Sequence, residues 1–300
     1  NAMEVAREVA AARRRGDAVP AELQARYDQA QQQVFLPLRA KLGVDRVNVA
    51  WTSSGAMTPE VQALWQMWGV DLRELYGTTE TCGWVLGQWD RAFPSPGTVG
   101  KAMPDPRFAI KTSSEGELLV KGPLLFRGYW NNPEATADVM DGEWYRTGDL
   151  VEIDASGEVK LIGRAKDIIV TSGGKTISPQ PIEVRLKANP LIEEAVVVGD
   201  GRNYLTVLIW PTETAGRLDS DALHQGLQAW IDKLNADLAR PLQLKDFRIA
   251  PRALSPGAGE LTSKGTIRRP AVLKSFSALV DEMYSAAEHN EFADQARLQG

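Results

Sequence analysis

The stretch Tyr145–Glu183 reads YRTGDLVEIDASGEVKLIGRAKDIIVTSGGKTISPQPIE. Two apolar runs, Leu150–Ile153 and Val159–Ile162, flank the tetrapeptide Asp154-Ala155-Ser156-Gly157. Short apolar runs on either side of a polar, Gly-ended turn spell a β-hairpin. A third run, Ile168–Thr171, is β-branched and breaks at Gly173-Gly174. Ser178-Pro179 then predicts a helix start, with serine as cap and proline in the first turn. Arg146, Asp149, Arg164, Lys166 and Asp167 fall at predicted strand ends. Strand ends are where a rigid scaffold presents chemical groups.

Upstream, Val47–Thr52 reads as a buried strand, and Leu72–Leu75 as a second. A helix between them starts at Thr58-Pro59-Glu60 and closes at Gly69. Strand, helix, strand in that order predicts a parallel βαβ unit. Its loops, Thr52-Ser53-Ser54-Gly55-Ala56 and Tyr76-Gly77, would open at one carboxyl edge of the sheet, where α/β folds bind ligands. Two helices precede the unit. Met3–Arg15 ends at Gly16, with Arg13-Arg14-Arg15 as a solvated end. The second runs from Pro20 to Gly43 with Leu23, Tyr27, Ala30, Val34, Leu38 and Leu42 near helical spacing.

Residues 83–130 change character: Trp84–Gly87, Thr98–Gly100, Phe108–Lys111 and Glu117–Lys121 alternate with Gly and Pro, predicting a small β-rich subdomain. Asn132-Pro133 caps a helix to Met140. Beyond the hairpin come strands Ala195–Val198, Leu205–Trp210 and Phe247–Ala250, a helix near 221–238 and a last helix, Pro270–Ala286. The fold class is therefore α/β: part of a parallel-sheet large domain with a β-rich subdomain over 3–163, then a small mobile α+β domain over 164–300.

Composition narrows the function. A hydrophobic fraction of 43% is ample for packed cores. A net charge of −5 argues against nonspecific nucleic-acid binding, which needs a basic footprint. The lone Cys82 excludes an intrachain disulfide and reads as a small buried residue in a reducing compartment. His224 and His289 lack metal-ligand spacing. No run of 18 apolar residues spans a membrane, so the expected location is cytoplasmic, free or at a membrane surface.

Two clusters carry candidate chemistry. In Thr78-Thr79-Glu80 a hydroxyl beside a carboxylate at a strand end can hold a phosphate oxygen and Mg²⁺ together. The plain reading of that segment is a polar turn. Asp149 can accept both hydroxyls of a ribose, with Arg164 as a donor fork. The plain reading is a surface ion pair between them. The residues alone do not separate these readings.

The segments YGTTE (76–80), YRTGDL (145–150) and GRAKD…SGGK…SPQPIE (163–183), in that order, resemble the adenylate-forming superfamily of AMP-forming acid–CoA ligases, adenylation domains and luciferases. The wording around Arg39–Glu80 is most similar to the long-chain acyl–CoA synthetase branch. The resemblance implies ATP or AMP, a carboxylic acid of fatty type and CoA as substrates, with Mg²⁺ on Glu80. It implies nucleotide contacts at Tyr76, Gly77, Thr78, Thr79, Asp149 and Arg164, with Tyr76 against adenine. Lys166 matches the family's hinge, and Gly173-Gly174 its CoA channel. Ser54, Gly55, Ala56 and Thr81 would line the acyl pocket, floored by Trp84 and Trp89. Lys264 matches the lysine that stabilises charge during adenylation, beside Thr79 and Glu80 as catalytic residues.

The sequence departs from the family in one respect: no Gly/Ser/Thr-rich phosphate loop occurs in it. The chain is therefore expected to be the later part of a longer ligase, with little activity alone. A sheet cut short near residue 3 would expose an edge and an apolar face, so homodimerisation or swapping is expected. Two other functions fit the same segments: an adenylation domain loading a carrier protein, and a non-catalytic interaction module.

Overall fold

A computed structural model of the chain describes residues 1–54, 57–263 and 265–285. The chain divides into two units, Asn1–Ala165 and Lys166–Gly300. In the first, helix α1 (Ala2–Arg15) ends at the left-handed Gly16. Arg13 is not simply solvated: its guanidinium lies over the rings of Tyr27 and Phe93, at 5.0 and 4.8 Å. Helix α2 (Ala21–Ala30) passes through one π turn, Gln31–Phe35, into α3 (Leu36–Lys41). This corrects the uninterrupted helix read from the sequence. The wider turn rotates the register, so Phe35 and Arg39 are buried while Val34, Leu38 and Leu42 are exposed.

Strand β1 (Val49–Thr52), helix α4 (Pro59–Met67) and strand β2 (Asp71–Thr78) form the βαβ unit, with β1 and β2 parallel. Thr58 caps α4 by accepting from the Val61 amide. Strand β1 is not buried as expected. It is the edge of its sheet, and Val49 and Trp51 are exposed. Strand β3 (Gly83–Gly87) folds back antiparallel on β2, and β4 (Lys101–Ala102) on β3. Trp84–Gly87 thus extends this sheet instead of opening the β-rich subdomain. The reason is local: the buried Thr81 hydroxyl bonds the Thr78 amide and carbonyl and the Gly83 carbonyl, closing a tight return.

The second sheet of the unit holds β5 (Ala109–Thr112) and β6 (Glu117–Lys121). Helix α5 (Pro133–Val139) and β7 (Met140–Asp141) follow, then the hairpin of β8 (Trp144–Ile153) and β9 (Val159–Arg164). The strand order is β5-β6-β8-β7, and β9 also pairs with β8, along its later half. Asp154 closes the hairpin turn by accepting from the Ser156 and Glu158 amides. One core joins the two sheets: Tyr76, Val85 and Leu86 from the first, Leu118, Val120, Val151 and Val159 from the second.

The second unit begins with a ribbon of β10 (Ile169–Val170) and β11 (Thr176–Ile177), followed by α6 (Gln180–Leu186). Ser178 does not cap α6. The helix starts later, after Pro179, and the Ser178 hydroxyl is buried without a hydrogen-bond partner. Strands β12 (Ile192–Val198) and β13 (Leu205–Pro211), helix α7 (Ser220–Ala236) and strand β14 (Leu244–Ile249) build a three-stranded sheet. The central β13 is covered on both faces. Leu205, Val207 and Ile209 pack with α6 and α7. Leu208 and Trp210 pack with Val272, Phe276, Met283 and Tyr284. The last helix is not continuous. Helix α8 (Arg269–Ser275) stops at Phe276, whose ring packs edge-on against Trp210, and residues 277–285 are helical again. Ala286 lies outside the described residues. No described helix is long and apolar enough to cross a membrane.

Candidate functional site

The motif Tyr145–Asp149 is shaped by a buried glutamate opposite it. Glu117 on β6 accepts from the Arg146 guanidinium at 2.7 Å and from the Gly148 amide at 2.9 Å. Thr147 donates to the Leu118 carbonyl and accepts from the Asp149 amide. Gly148 has φ 72, a left-handed value that glycine adopts without strain. The strand therefore kinks directly before Asp149. The buried Asp149 carboxylate receives the Tyr76 hydroxyl at 2.5 Å and the Arg164 Nε at 2.8 Å. Tyr76 comes from β2 in the first sheet and Arg164 from β9, in register with Asp149. Burial and the adjacent Asp149 charge push the Tyr76 phenol well above its ordinary range, which keeps it a hydrogen-bond donor. Gly77 must be glycine: a Cβ there would stand 1.9 Å from the Gly83 carbonyl oxygen.

At the end of β2, Thr79 is exposed and Glu80 half-buried. Glu80 accepts the Tyr129 hydroxyl at 2.7 Å, and its carbonyl accepts the Phe126 amide at 2.7 Å. Burial raises the Glu80 carboxyl, but hydrogen bonding, with Tyr129 foremost, outweighs it and holds the group below the ordinary glutamate value. Burial pushes the neighbouring Tyr145 phenol up to about 12. Thr78 Oγ is buried without a hydrogen-bond partner. Neither Tyr129 nor Glu117 was singled out from the sequence. The only local signal for Tyr129 was its place in Gly128-Tyr129-Trp130, just ahead of the Asn132-Pro133 cap.

The remaining predicted residues are placed as follows. Ser54 is exposed with φ 78, while Gly55, Ala56 and Lys264 lie outside the described residues. Thr81 is buried in its turn, with its hydroxyl engaged there. Trp84 is 52% exposed, and the Trp89 indole donates to the Lys101 carbonyl. Cys82 is exposed, with φ 51, and so is not the buried residue expected. The reason is its position in the tight turn after β2. In the second unit, Lys166 is exposed, and Gly173 and Gly174 turn between β10 and β11 with open space around both. The residues flanking Lys264 are firmly held. Leu261 bridges Ile267, and the fully buried Glu260 takes both Arg252 terminal nitrogens, at 2.6 and 2.8 Å. The structure thus brings Tyr76, Asp149 and Arg164 into one cluster, with Thr79 and Glu80 at the end of the same strand as Tyr76. Among the described residues, no three His, Cys, Asp or Glu side chains gather to hold a metal.

Residues 15–130 match the family described as AMP-binding enzyme, and residues 166–288 match the AMP-binding enzyme C-terminal domain. The chain belongs to this family of adenylate-forming enzymes. It is 32% identical over 271 residues to the long-chain-fatty-acid–CoA ligase FadD15 of Mycobacterium bovis, a match covering 84% of this chain and 44% of that protein. It is 27% identical over 294 residues to the long-chain-fatty-acid–CoA ligase ACSBG1 of Bos taurus, covering 84% and 40%. The A-PCP didomain of carboxylic acid reductase from Segniliparus rugosus, solved with AMP, superposes with a TM-score of 0.70 at 25% identity, covering 96% of this chain and 41% of that one. The chain spans under half the length of each of these proteins.

Proposed function

We propose that this chain is the AMP-binding, acid-activating part of an AMP-forming fatty-acid–CoA ligase. The observation that carries the reading is the cluster at Asp149. A carboxylate is an acceptor suited to a ribose diol, and Asp149 is held in place by Tyr76 and Arg164. Tyr76 and Arg164 fix its orientation beforehand, which is what a preorganised site requires. Tyr76 offers its ring to adenine, the bare Gly77 and Thr78 continue the nucleotide turn, and the exposed Thr79 hydroxyl meets phosphate.

In the reaction, a carboxylate oxygen of the acid attacks the α-phosphorus of ATP. The bond to the bridging oxygen breaks, pyrophosphate leaves and acyl-AMP forms. The CoA thiolate then attacks the acyl carbon, the bond to the phosphate oxygen breaks and AMP leaves. One hard acyl transfer becomes two easier ones. Lys264 stabilises charge on the α-phosphate. Lys166 serves as the hinge, Gly173-Gly174 borders the CoA thiol's approach, and Ser54, Gly55, Ala56 and Thr81 border the acyl chain. Mg²⁺ takes one or two carboxylates plus phosphates rather than a protein cage, and Glu80, half-buried and held below its ordinary pKa, fits that donor set. When bound, the ion neutralises phosphate charge.

Calorimetric titration with AMP and Mg²⁺ tests the reading. Saturable binding that Asp149→Ala abolishes is expected. No saturation at millimolar AMP would sink the idea that this chain assembles the nucleotide site. The likeness to a didomain that includes a carrier protein supports a second reading, in which the acceptor thiol sits on a carrier rather than on free CoA. Exposed Val49 and Trp51 on edge strand β1 support self-association as a homodimer, which sedimentation would read.

A further inference from the structure

The Glu80 side chain is tied by a residue far away in sequence. Tyr129 reaches it from the loop ahead of α5, its hydroxyl donating to Oε1 at 2.7 Å. The same loop is pinned to the backbone of the same residue, through the Phe126 amide and the Glu80 carbonyl. Tyr129 is in turn fixed from behind. Its amide donates to Thr136 Oγ at 2.9 Å, and its ring packs edge-on against Phe126 with centroids 4.9 Å apart. Phe126 stacks in the same way on Tyr145, 5.8 Å away. The chain of contacts runs from α5 through Tyr129 to the carboxylate.

Packing alone does not account for this arrangement. Tyr129 is 38% exposed, so burial of its ring is incomplete. Its specific contact is the bond from its hydroxyl to a charged oxygen. A glutamate has three rotatable bonds, and freezing them at the moment of ligand binding costs entropy. A phenol that already holds Oε1 removes part of that cost and sets the plane of the carboxylate. Partners of this kind, one bond behind a metal ligand, govern how well the ligand binds.

We propose that Tyr129 is a positioning residue that presents the Glu80 carboxylate to a divalent cation shared with the phosphates of bound nucleotide. This rests on the reading of Glu80 as the cation's ligand given under Proposed function. Mn²⁺ is the probe, titrated into the whole chain at saturating AMP and followed by water-proton relaxation. Tyr129→Phe keeps the ring and removes the hydroxyl. It should weaken Mn²⁺ binding about 10-fold or more. It should also move the pH midpoint of Mn²⁺ binding upward, because a hydrogen bond to the charged carboxylate is lost. AMP affinity without metal should stay as it was. A purely structural tyrosine would not move the pH midpoint. If the first variant folds poorly, Thr136→Val loosens Tyr129 from behind and should weaken Mn²⁺ in the same direction by a smaller factor.

Two outcomes separate the failures. Wild-type Mn²⁺ affinity in Glu80→Gln overturns the ligand reading, and the role of Tyr129 falls with it. Loss of binding in Glu80→Gln, with Tyr129→Phe indistinguishable from wild type in affinity and pH midpoint, overturns the role of Tyr129 alone.

Discussion

Glu74 is a carboxylate buried within β2, between β1 and β3. Burial pushes its carboxyl up to about 7, and a backbone hydrogen bond at Met57 offsets this only in part. The folded chain therefore holds the proton more tightly than the unfolded chain, where the group titrates near 4.5. The stability this confers is complete below the unfolded value and is lost as pH rises through the folded one. The first unit should lose on the order of 3 kcal/mol from this group between about pH 5 and pH 8. Seven of the nine tryptophans (51, 65, 68, 84, 89, 130 and 144, against 210 and 230) lie in that unit, so urea unfolding followed by tryptophan emission reports on it. Glu74→Gln should flatten the pH dependence, and an unchanged slope would assign the titration to another group. Glu74 was not legible in Leu72-Arg73-Glu74-Leu75-Tyr76 because a central strand is buried on both faces, and alternation then says nothing about which polar residue goes inside. Tyr129 was hidden for a similar reason: its partner lies 49 positions away. Tyr76, Asp149 and Arg164 were legible because each sits in a recognisable motif, and the structure brings the three together, although Asp149 lies inside β8 and not at the strand end expected for it.

The helix before β1 shows what an element hides. Its run Gln31-Gln32-Gln33 has ordinary helix propensity, so nothing local announces the π turn. The extra residue exists only because two faces must be satisfied at once. Tyr27, Ala30 and Phe35 enter one core with Val5, Ala6 and Val9. Arg39, one turn beyond Phe35, then points inward and is almost wholly buried. Its guanidinium donates to the carbonyls of Val44 at 3.2 Å, Asp45 at 3.1 Å and Trp68 at 3.3 Å, and also to Val47. One cation thus satisfies the backbone that leads from α3 toward β1 and the end of α4. Arg39→Met keeps much of the packing but leaves these carbonyls without donors. Hydrogen bonds from charged groups are the strong ones, and the variant should destabilise the first unit by about 2–4 kcal/mol. The urea midpoint of tryptophan emission measures it. A loss under about 0.5 kcal/mol, the scale of an ordinary surface change, would mean that water replaces the guanidinium without penalty.

For the whole molecule, the order of motifs disclosed the family, while tertiary packing decided details that no motif carries. Helix α8 breaks at Phe276 because that ring is needed against Trp210, 66 positions earlier. The second unit has cores of its own. Its sheet has one core under α6 and α7 and another under α8 and 277–285, both made wholly of residues from Ile169 onward. Several ion pairs tie it together. Arg269 joins Glu183 at 2.5 Å and donates to the Val197 carbonyl, linking α8, α6 and β12, and Arg252 closes on Glu260. Burial pushes the Glu183 carboxyl up against the pull of Arg269, so the pair is held at a desolvation cost. Residues 166–300 lie within the usual size of a self-sufficient domain. Expressed alone, they should unfold in one cooperative thermal transition, with near-ultraviolet dichroism from Trp210 packed on Phe276. A segment that instead bound a hydrophobic dye and melted without cooperativity would have the features of a molten globule. Its two cores would then need more than the residues that build them.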